Sequence, residues 1–315
     1  MTERRPTPHG VAAAARRIAG FVTHTPLLPL DWAGRRIWIK AECLQQGGSF
    51  KLRGASNRLL LLDEAARARG VVAFSSGNHA QGVALAARRL GIHAAIVMPS
   101  DAPAVKIEAT RAAGAEIILY DRLTGSREAI GAKLAAERGA TLVPSFDDVD
   151  VIEGQGSVGI EIREQLGAAP PMVVVPCGGG GLSGGIALVL PESQVIAVEP
   201  EGWDDMARSL AGGAIMPVEE PAPPTRCDAL QTRLVSPLTF AALRDAGARG
   251  LCVGEAEVEA AMVFAFRHLR IVAEPGGAVA LAALLAGKVD APEGSVVVVS
   301  GGNVDPRVYA EIVGR

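Results

Sequence analysis

The sequence alternates short, Val-rich apolar runs with longer Ala-rich runs, and this alternation restricts the possible folds most strongly. Strand-like runs occupy residues 71–74, 172–175 and 295–299, and residues 127–138 form one of the helical runs between them. Apolar runs that lack polar alternation are typical of parallel strands covered by helices on both faces. The pattern predicts an α/β protein built from βαβ units around a mostly parallel sheet.

The remaining apolar runs extend the same pattern along the chain. The other predicted strands are residues 94–98, 116–120, 141–143 and 195–198. The other predicted helices are residues 81–90, 105–112, 183–190, 255–270 and 278–286. About half of the 315 residues are hydrophobic, so the chain has enough apolar material for a large core in one or two domains.

Charge and cysteine content exclude several classes of protein. The net charge is −3 without a basic stripe, so we expect no nucleic-acid partner. Cys43, Cys177, Cys227 and Cys252 are far apart, which argues against a zinc site or disulfide framework and for a reduced compartment. The sequence offers neither a signal peptide nor a membrane span, so we expect a cytoplasmic protein without a membrane partner.

Four segments rich in glycine or asparagine interrupt the alternation. They are GGSFKLRGA at 47–55, SSGNHA at 75–80, CGGGGLSGG at 177–185 and SGGNVD at 300–305. Three of them directly follow predicted strands. Because ligands bind at the carboxyl ends of strands in open α/β sheets, we expect these segments to meet at one cleft.

Lys51 lies between glycines at the predicted start of a helix, with Phe50 beside it. A lysine whose pKa is lowered by desolvation or by a nearby cation such as Arg53 acts as a nucleophile and forms a Schiff base with an aldehyde cofactor. The alternative is a solvated lysine at a helix start, since most lysines lie on the surface.

The segment CGGGGLSGG follows an apolar strand and precedes a helix, so its backbone N–H groups can bind a phosphate. No Lys-Ser or Lys-Thr pair follows, which excludes a nucleoside-triphosphate P-loop. One alternative is a dinucleotide fold, with Gly179, Gly181 and Gly184 as its glycines and Glu199 as its ribose carboxylate. A tight turn is the other alternative.

Polar residues at two other strand ends are candidate ligand contacts. Ser75, Ser76 and Asn78 offer donors for a substrate carboxylate at a helix start, although helix capping explains part of this pattern. His79 by itself favours a structural role. Ser300 follows the last apolar strand and either faces a ligand or belongs to a turn.

In combination, these motifs resemble the serine/threonine dehydratase and serine racemase family of fold type II pyridoxal-phosphate enzymes. The likeness runs from Thr25 to Asp305 and includes, besides the four segments, SFDDVDVIEGQGSVGIEI, VEPEGWDD and AEPGGAVALAALL. The resemblance implies a tryptophan synthase β-like α/β fold with two open twisted sheets flanked by helices. It also implies a large domain (1–69 and 147–315), a small domain (70–146) and a homodimer.

The resemblance assigns pyridoxal 5'-phosphate as the cofactor and gives each candidate residue a role. Lys51 is implied as the Schiff-base lysine that also moves the α-proton, and Phe50 as a residue packed on the cofactor ring. Asn78 is implied to bond the ring hydroxyl, Glu274 to lie near the cofactor, and Ser300 to meet the pyridine nitrogen. The implied phosphate ligands are Gly178, Gly179, Gly180, Gly181 and Leu182.

The resemblance also implies a substrate site and a cation site. The implied ligands of the substrate carboxylate are Ser75, Ser76, Gly77, Asn78 and His79. Ser76 matches the residue that serves racemases as a base on the second face of the substrate. Glu199, Trp203 and Asp205 match a site for Mg²⁺ or another divalent cation, with two carboxylates and the tryptophan carbonyl. An acidic helix start is the alternative for this group.

A serine at the pyridine nitrogen delocalises a carbanion less than an aspartate would, which favours elimination of a β-substituent. The sequence therefore predicts a lyase that converts L-threonine, L-serine or a related β-hydroxy amino acid to a 2-oxo acid and ammonia. Alternatives are a serine racemase or a dehydratase of hydroxyaspartate or phenylserine, and more distantly an NAD-dependent dehydrogenase. Ala229 departs from the family's usual glycine. A regulatory domain is not expected, so we expect no inhibition by isoleucine.

Overall fold

A computed structural model of the protein describes residues 4–102, 104–121 and 124–314. Its regular structure alternates strands and helices along most of the chain. The strands are β1 (Leu27–Trp32), β2 (Arg35–Ala41), β3 (Val71–Phe74), β4 (Ala94–Pro99), β5 (Glu116–Tyr120), β6 (Thr141–Leu142), β7 (Met172–Pro176), β8 (Gln194–Pro200), β9 (Arg249–Val253) and β10 (Val296–Val299).

The helices cover both faces of the sheets that these strands form. They are α1 (Pro8–Ile18), α2 (Lys51–Leu60), α3 (Glu64–Arg69), α4 (Asn78–Leu90), α5 (Ala104–Ala112), α6 (Arg127–Arg138), α7 (Val149–Gln155), α8 (Ser157–Leu166), α9 (Gly181–Val189), α10 (Asp205–Gly212), α11 (Pro237–Asp245), α12 (Glu255–Phe264), α13 (Pro275–Leu285) and α14 (Pro306–Val313). None of the described helices is both long enough and apolar enough to cross a lipid bilayer.

The larger sheet has the strand order β1-β2-β10-β7-β8-β9. The hairpin of β1 and β2 is antiparallel, and every other neighbouring pair in this sheet is parallel. All four residues of β10 are buried valines, as expected for a strand covered on both faces. The predicted, mostly parallel sheet is therefore observed.

A smaller, fully parallel sheet has the strand order β5-β4-β3-β6. Its strands lie between residues 71 and 142, inside the segment 70–146 for which the small domain is predicted. The division into two domains itself stays a prediction. The predicted pattern of two open sheets flanked by helices agrees with the observed architecture.

Helix α13 forms the centre of the larger core. Residues 275–284 are all buried, because Ala, Val and Leu occupy every side of this helix. The start of α13 therefore lies deep in the protein, next to the carboxyl end of β10.

The long helix predicted for residues 255–270 is interrupted. Regular α-helix ends at Phe264, residues 265–269 form a π-helical turn, and Arg270 adopts a left-handed conformation with φ of 59°. Side-chain periodicity does not distinguish α from π turns, so the sequence pattern did not show this interruption. The turn redirects the chain toward the start of α13.

Candidate active site

Two glycine-rich segments meet beside the first turn of α2. The backbone N–H of Phe50 donates to the carbonyl of Ser300 at 3.2 Å, which joins the segment before α2 to the end of β10. A Cβ atom built on Gly82 of α4 would lie 3.0 Å from the carbonyl carbon of Lys51. The two helices thus approach closely, and the segments GGSFKLRGA and SGGNVD are in contact. The meeting of three strand-end segments at one cleft stays a prediction.

Lys51 is the first residue of α2, and its amine lies in the interior of this region. Its Nζ atom donates to the carbonyl oxygen of Ser145 at 3.0 Å and lies 5.0 Å from the centre of the Phe50 ring. Desolvation by burial lowers the pKa of Lys51 from its ordinary 10.5 to about 8. A substantial fraction of this amine is therefore neutral and nucleophilic near pH 8.

Asn78, the first residue of α4, is held at both ends of its side-chain amide. Its Nδ2 donates to Oε1 of Glu274, and its Oδ1 accepts from Nδ2 of Asn303 at 2.8 Å. Burial raises the pKa of Glu274 to about 7, despite the hydrogen bond from Asn78. Asn303 also donates to the carbonyl of Gly47 at 2.8 Å, so it links this group to the segment before Lys51.

The glycine loop between β7 and α9 is closely surrounded by side chains. A Cβ atom on Gly179 would lie 2.3 Å from the Phe146 ring, and one on Gly180 would lie 2.7 Å from Cε of Met206. Gly180 also has φ of 82°, which glycine adopts without strain. Only glycines fit at these two positions, and the loop ends at the amino terminus of α9, a favourable position for an anion.

The segment between β3 and α4 places polar groups next to Lys51. The hydroxyl of Ser75 accepts from the N–H of Gly77 at 3.1 Å, and Ser76 is half-buried. His79 is buried, and its Nε2–H donates to the carbonyl of Val143 at 2.8 Å. Burial, and secondarily the nearby charge of Lys51, lower the pKa of His79 to about 3, so the ring is neutral.

Glu199 and Asp205 form a buried pair of carboxyl groups at the end of β8. Glu199 accepts from the N–H groups of Met206 at 3.1 Å and Ala207 at 2.7 Å. Neither carboxyl oxygen of Asp205 has a hydrogen-bond partner within the described part of the chain. Burial raises the pKa of both carboxyl groups, and the charge of Asp205 raises that of Glu199 further.

The third residue predicted for a cation site, Trp203, lies two residues before Asp205. Its indole N–H donates to the carbonyl of Pro223 at 2.8 Å. Across residues 4–102, 104–121 and 124–314, no group of three His, Cys, Asp or Glu side chains is arranged to hold a metal ion. The predicted set contains only two such side chains, because Trp203 is expected to contribute its backbone carbonyl.

The alternative dinucleotide site is not supported by the position of Glu199. This residue has no exposed surface, and both of its carboxyl oxygens accept backbone N–H groups. A carboxylate that binds a ribose must instead face the ligand cleft.

Reasoning from the sequence missed three contacts of the site. Asn303 belongs to the motif SGGNVD, but its bond to Asn78 joins residues 225 positions apart. The carbonyl of Ser145 carries no recognisable signal, since any residue presents one. Lys106 of α5 forms an ion pair with Asp228, whose negative charge raises the pKa of Glu274.

The arrangement fits pyridoxal 5'-phosphate. Side chains such as Phe146 and Met206 pack so closely on the glycine loop that they exclude Cβ atoms there, and the N–H groups and helix dipole of the loop suit an anion. The desolvated amine of Lys51 suits an aldehyde, and Ser300 is a buried hydroxyl-bearing residue at the end of β10. The cofactor needs groups of these kinds for its phosphate, its aldehyde and its ring nitrogen, respectively.

The chain matches the model of the pyridoxal-phosphate dependent enzyme family over residues 18–301, and it belongs to that family. It is 44% identical to L-threo-3-hydroxyaspartate ammonia-lyase of Pseudomonas sp., over 97% of this chain and 98% of that protein. It is 41% identical to L-threonine ammonia-lyase of Thermotoga maritima, over 98% of this chain and 78% of that protein.

The fold is similar to that of maize serine racemase, with a TM-score of 0.92. The two chains are 36% identical, and the likeness covers 98% of this chain and 97% of that chain. The predicted family, fold class, cofactor and class of pyridoxal-phosphate-dependent lyase are thereby confirmed.

Proposed function

We propose that this protein eliminates the β-hydroxyl of a small β-hydroxy amino acid, with L-threonine and L-serine as the first candidates. The water lost in the elimination is taken up again when the released enamine hydrolyses, so the net products are a 2-oxo acid and ammonia. The observation that carries this proposal is the lowered pKa of Lys51 in an interior position where the glycine loop and the ends of β3 and β10 meet. A neutral lysine amine at such a place is the group that an aldehyde cofactor needs.

Bound pyridoxal phosphate supplies an electron sink for the negative charge that develops when the α-proton leaves. Lys51 would hold the cofactor through its amine and would then move the α-proton, and Phe50 would pack on the ring. Asn78 would bond the ring hydroxyl, and its side-chain amide is oriented by Asn303 and Glu274. A positioned proton-transfer group, the role proposed for Lys51, contributes ~10²–10⁴-fold to the rate.

Ser300 meets the ring nitrogen in the proposed arrangement. Its neutral hydroxyl would not force protonation of that nitrogen, so the cofactor would delocalise charge at the α-carbon less, which favours loss of the β-hydroxyl. The N–H groups at Gly178, Gly179, Gly180, Gly181 and Leu182 would hold the phosphate. This proposal is supported by the positive φ of Gly180 and by the start of α9 at Gly181.

The substrate carboxylate is assigned to the segment between β3 and α4. The proposed ligands are Ser75, Ser76, Gly77, Asn78 and His79. The start of α4 contributes a favourable dipole for an anion. Because His79 is neutral and donates to Val143, its contribution is to fix the segment rather than to supply charge.

A second candidate substrate is L-threo-3-hydroxyaspartate, because the 44% identical Pseudomonas protein bears the name of an ammonia-lyase for this compound and aligns over nearly its whole length. Racemisation of serine is an alternative activity, because half-buried Ser76 is proposed to face the substrate from the side opposite Lys51. Product identity and chirality distinguish these possibilities.

The test is release of 2-oxo acid by purified protein loaded with pyridoxal phosphate. The panel contains L-threonine, L-serine, L-threo-3-hydroxyaspartate and L-threo-phenylserine, with chiral analysis of the remaining serine. Release from any member supports the elimination, and the highest kcat/KM identifies the substrate. Racemisation without 2-oxo acid would refute the proposal.

The role of Lys51 is tested by Lys51→Ala, with Lys133→Ala as the control. Lys133 lies on α6 with its side chain 78% exposed, so its loss removes one positive charge without touching the site. We expect kcat to fall by more than ~10²-fold for Lys51→Ala and to stay unchanged for the control. Retained turnover in a folded Lys51→Ala protein would refute the assignment.

We also propose that Glu199, Asp205 and the carbonyl of Trp203 bind Mg²⁺ or another divalent cation. Two buried carboxyl groups whose pKa values are raised lack a cationic side chain among their described contacts, and a hard cation accepts oxygen ligands of this kind. We expect Mg²⁺ or Ca²⁺ to raise Tm of the wild type but not of Asp205→Asn. An unchanged wild-type Tm with both ions would contradict this proposal.

We also propose the oligomeric state, the location and the domain division of the protein. The protein is proposed to be a homodimer and to lie in the cytoplasm. Its large domain is proposed to comprise residues 1–69 and 147–315, and its small domain residues 70–146. A molar mass of one chain, about 32.5 kDa, in light scattering would contradict the dimer. Recovery of the protein outside the cytoplasmic fraction would contradict the location. Proteolysis that spares the junctions near residues 69 and 147 while cutting within either unit would contradict the division.

A further inference from the structure

A buried cluster of four charged side chains lies on the other side of α2 from the candidate active site. Arg53 bonds Glu42 through two contacts of 2.8 Å and Glu161 through contacts of 2.6 and 2.9 Å. Lys40 donates to Glu161 at 2.6 Å. The side chains of Arg53, Lys40 and Glu42 have no exposed surface, and two positive charges balance two negative ones.

Polar groups of the surrounding backbone and side chains complete this cluster. Arg53 also donates to the hydroxyl of Ser157 at 3.2 Å, and Lys40 to the carbonyl of Thr25 at 2.8 Å. The hydroxyl of Thr25 donates to Glu42. The cluster therefore connects β2, α2 and α8 through directional bonds.

A gain in the free energy of unfolding does not explain why these charged side chains are buried. The desolvation of buried charges offsets most of their attraction, and well-packed apolar side chains in their place often leave a protein as stable or more stable. What a guanidinium with two bidentate carboxylates supplies is a fixed geometry.

The geometry that is fixed here is the first turn of α2. Lys51 is the first residue of the helix and Arg53 the third, so their side chains point ~200° apart around the helix axis. No side chain caps this helix start, because Phe50 offers no capping group. Besides Arg53, the first turn is anchored by the N–H of Gly54, which donates to the Gln155 side chain at 3.1 Å.

We propose that Arg53 is a positioning residue that, through Glu42 and Glu161, holds the amine of Lys51 in place for the cofactor and substrate. The proposal rests on the proposed role of Lys51. A cavity of about 400 Å³ between α1 and α8 reaches Arg53 and Glu161, so a shorter side chain has space to move away from the cluster. A weakened cluster then shifts the first turn of α2 without unfolding the protein.

The test compares Arg53→Lys with Arg58→Lys. Arg58 lies in the last turn of the same helix and is also ion-paired, to Asp148 at 3.0 Å and Asp150 at 3.7 Å. Both variants keep the charge and lose the guanidinium fork. The first readout is the pH dependence of cofactor uptake by the full chain stripped of cofactor, followed by absorbance.

We expect the wild type and Arg58→Lys to take up cofactor with a midpoint near pH 8, the pKa of Lys51. The midpoint of Arg53→Lys should move up by about one unit, because water reaches a displaced amine more easily. In turnover, kcat of Arg53→Lys should fall ~10²-fold, as expected for a ~1 Å displacement, while KM changes by less than ~3-fold. A folded Arg53→Lys protein with the wild-type midpoint and kcat would overturn the proposal.

A second variant decides the question if Arg53→Lys does not fold. The double variant Lys40→Met with Glu161→Gln keeps the cluster neutral and leaves the Arg53–Glu42 pair intact. We expect a smaller upward shift of the midpoint and a smaller loss of kcat, and wild-type values for both would overturn the proposal. The uptake midpoint requires no turnover, so it decides the role of Arg53 even if no hydroxy amino acid is a substrate.

Discussion

At the scale of single residues, burial determines the chemistry of this site. The same desolvation lowers the pKa of Lys51 to about 8 and raises that of Glu274 to about 7. In both cases the neutral form becomes accessible near physiological pH. The side chain of Asn78 lies against Glu274, so a titrating carboxyl group directly contacts the amide proposed to hold the cofactor ring.

The raised pKa of Glu274 predicts a pH-dependent penalty on folding. Because the folded pKa lies above the unfolded one, the contribution of Glu274 to stability is complete below about pH 4.5 and is lost as pH rises through about 7. Nearby Asp228 strengthens this effect, and Lys106 weakens it. We expect Glu274→Gln to be roughly 1–3 kcal/mol more stable, relative to wild type, at pH 8.5 than at pH 4.5.

Urea unfolding of the cofactor-free protein at these two pH values measures this difference. Glu137→Gln is the control, since the side chain of Glu137 is 58% exposed on α6. An equal pH dependence for Glu274→Gln and wild type would show that Glu274 titrates normally in the folded protein.

At the scale of elements, the site depends on where helices begin. Lys51, Asn78 and Gly181 are the first residues of α2, α4 and α9, and Glu274 immediately precedes α13. Helix starts present unpaired N–H groups and a positive dipole, so their convergence suits an anionic cofactor and a carboxylate substrate. The sequence indicated the starts near Lys51 and after the glycine loop.

A Cβ atom in the glycine loop should cause both backbone strain and a clash with neighbouring side chains. Gly180→Ala places a Cβ atom at φ of 82° and against Met206 and Thr239, whereas Gly213→Ala meets the same kind of strain in open space. We expect Gly213→Ala to cost about 1–2 kcal/mol from strain alone. Gly180→Ala should cost more and should weaken cofactor binding at least ~10-fold, because the loop must move.

Urea midpoints and absorbance titrations with pyridoxal phosphate provide these two quantities. Equal effects of the two variants on cofactor affinity would contradict the proposed role of the loop as a phosphate cradle.

At the scale of the whole molecule, residues of the two sheets approach each other across the candidate site. Lys106 follows β4 of the smaller sheet, and its ion pair with Asp228 reaches a segment that packs beside the glycine loop. Leu230, two residues after Asp228, belongs to this segment, and its Cα atom lies 3.2 Å from the position of a Cβ atom built on Gly178. The pair therefore connects the smaller sheet to the side of the proposed phosphate site.

We expect Lys106→Met to change the free energy of unfolding by about 1 kcal/mol. The Asp228 side chain is 45% exposed, so water screens the ion pair in part, although the Lys106 side chain is only 12% exposed. Its main effect should be a KM raised about fivefold, because the contact between the smaller sheet and the segment beside the glycine loop is lost. Lys133→Met removes an ion pair within α6 and serves as the control in steady-state kinetics. An unchanged KM for Lys106→Met would exclude this contribution.

The sequence by itself determined the local features of this protein. The apolar runs predicted the parallel strands β3, β7 and β10, because burial on both faces requires uninterrupted hydrophobic residues. The glycine loop and the lysine between glycines were recognisable because positive φ values and close backbone approach require glycine. Together with the order of the motifs, these features predicted the family and the cofactor.

Only the tertiary structure decided which distant groups meet. The bond between Asn78 and Asn303 and the charged cluster around Arg53 join segments that are far apart in the chain. The π-helical turn at residues 265–269 changes the direction of the chain before Glu274. Periodicity reports how a residue faces its own helix or strand, but a pKa depends on every group packed around the side chain. The lowered pKa of the Lys51 amine is therefore a property of the folded molecule, although the lysine itself was visible in the sequence.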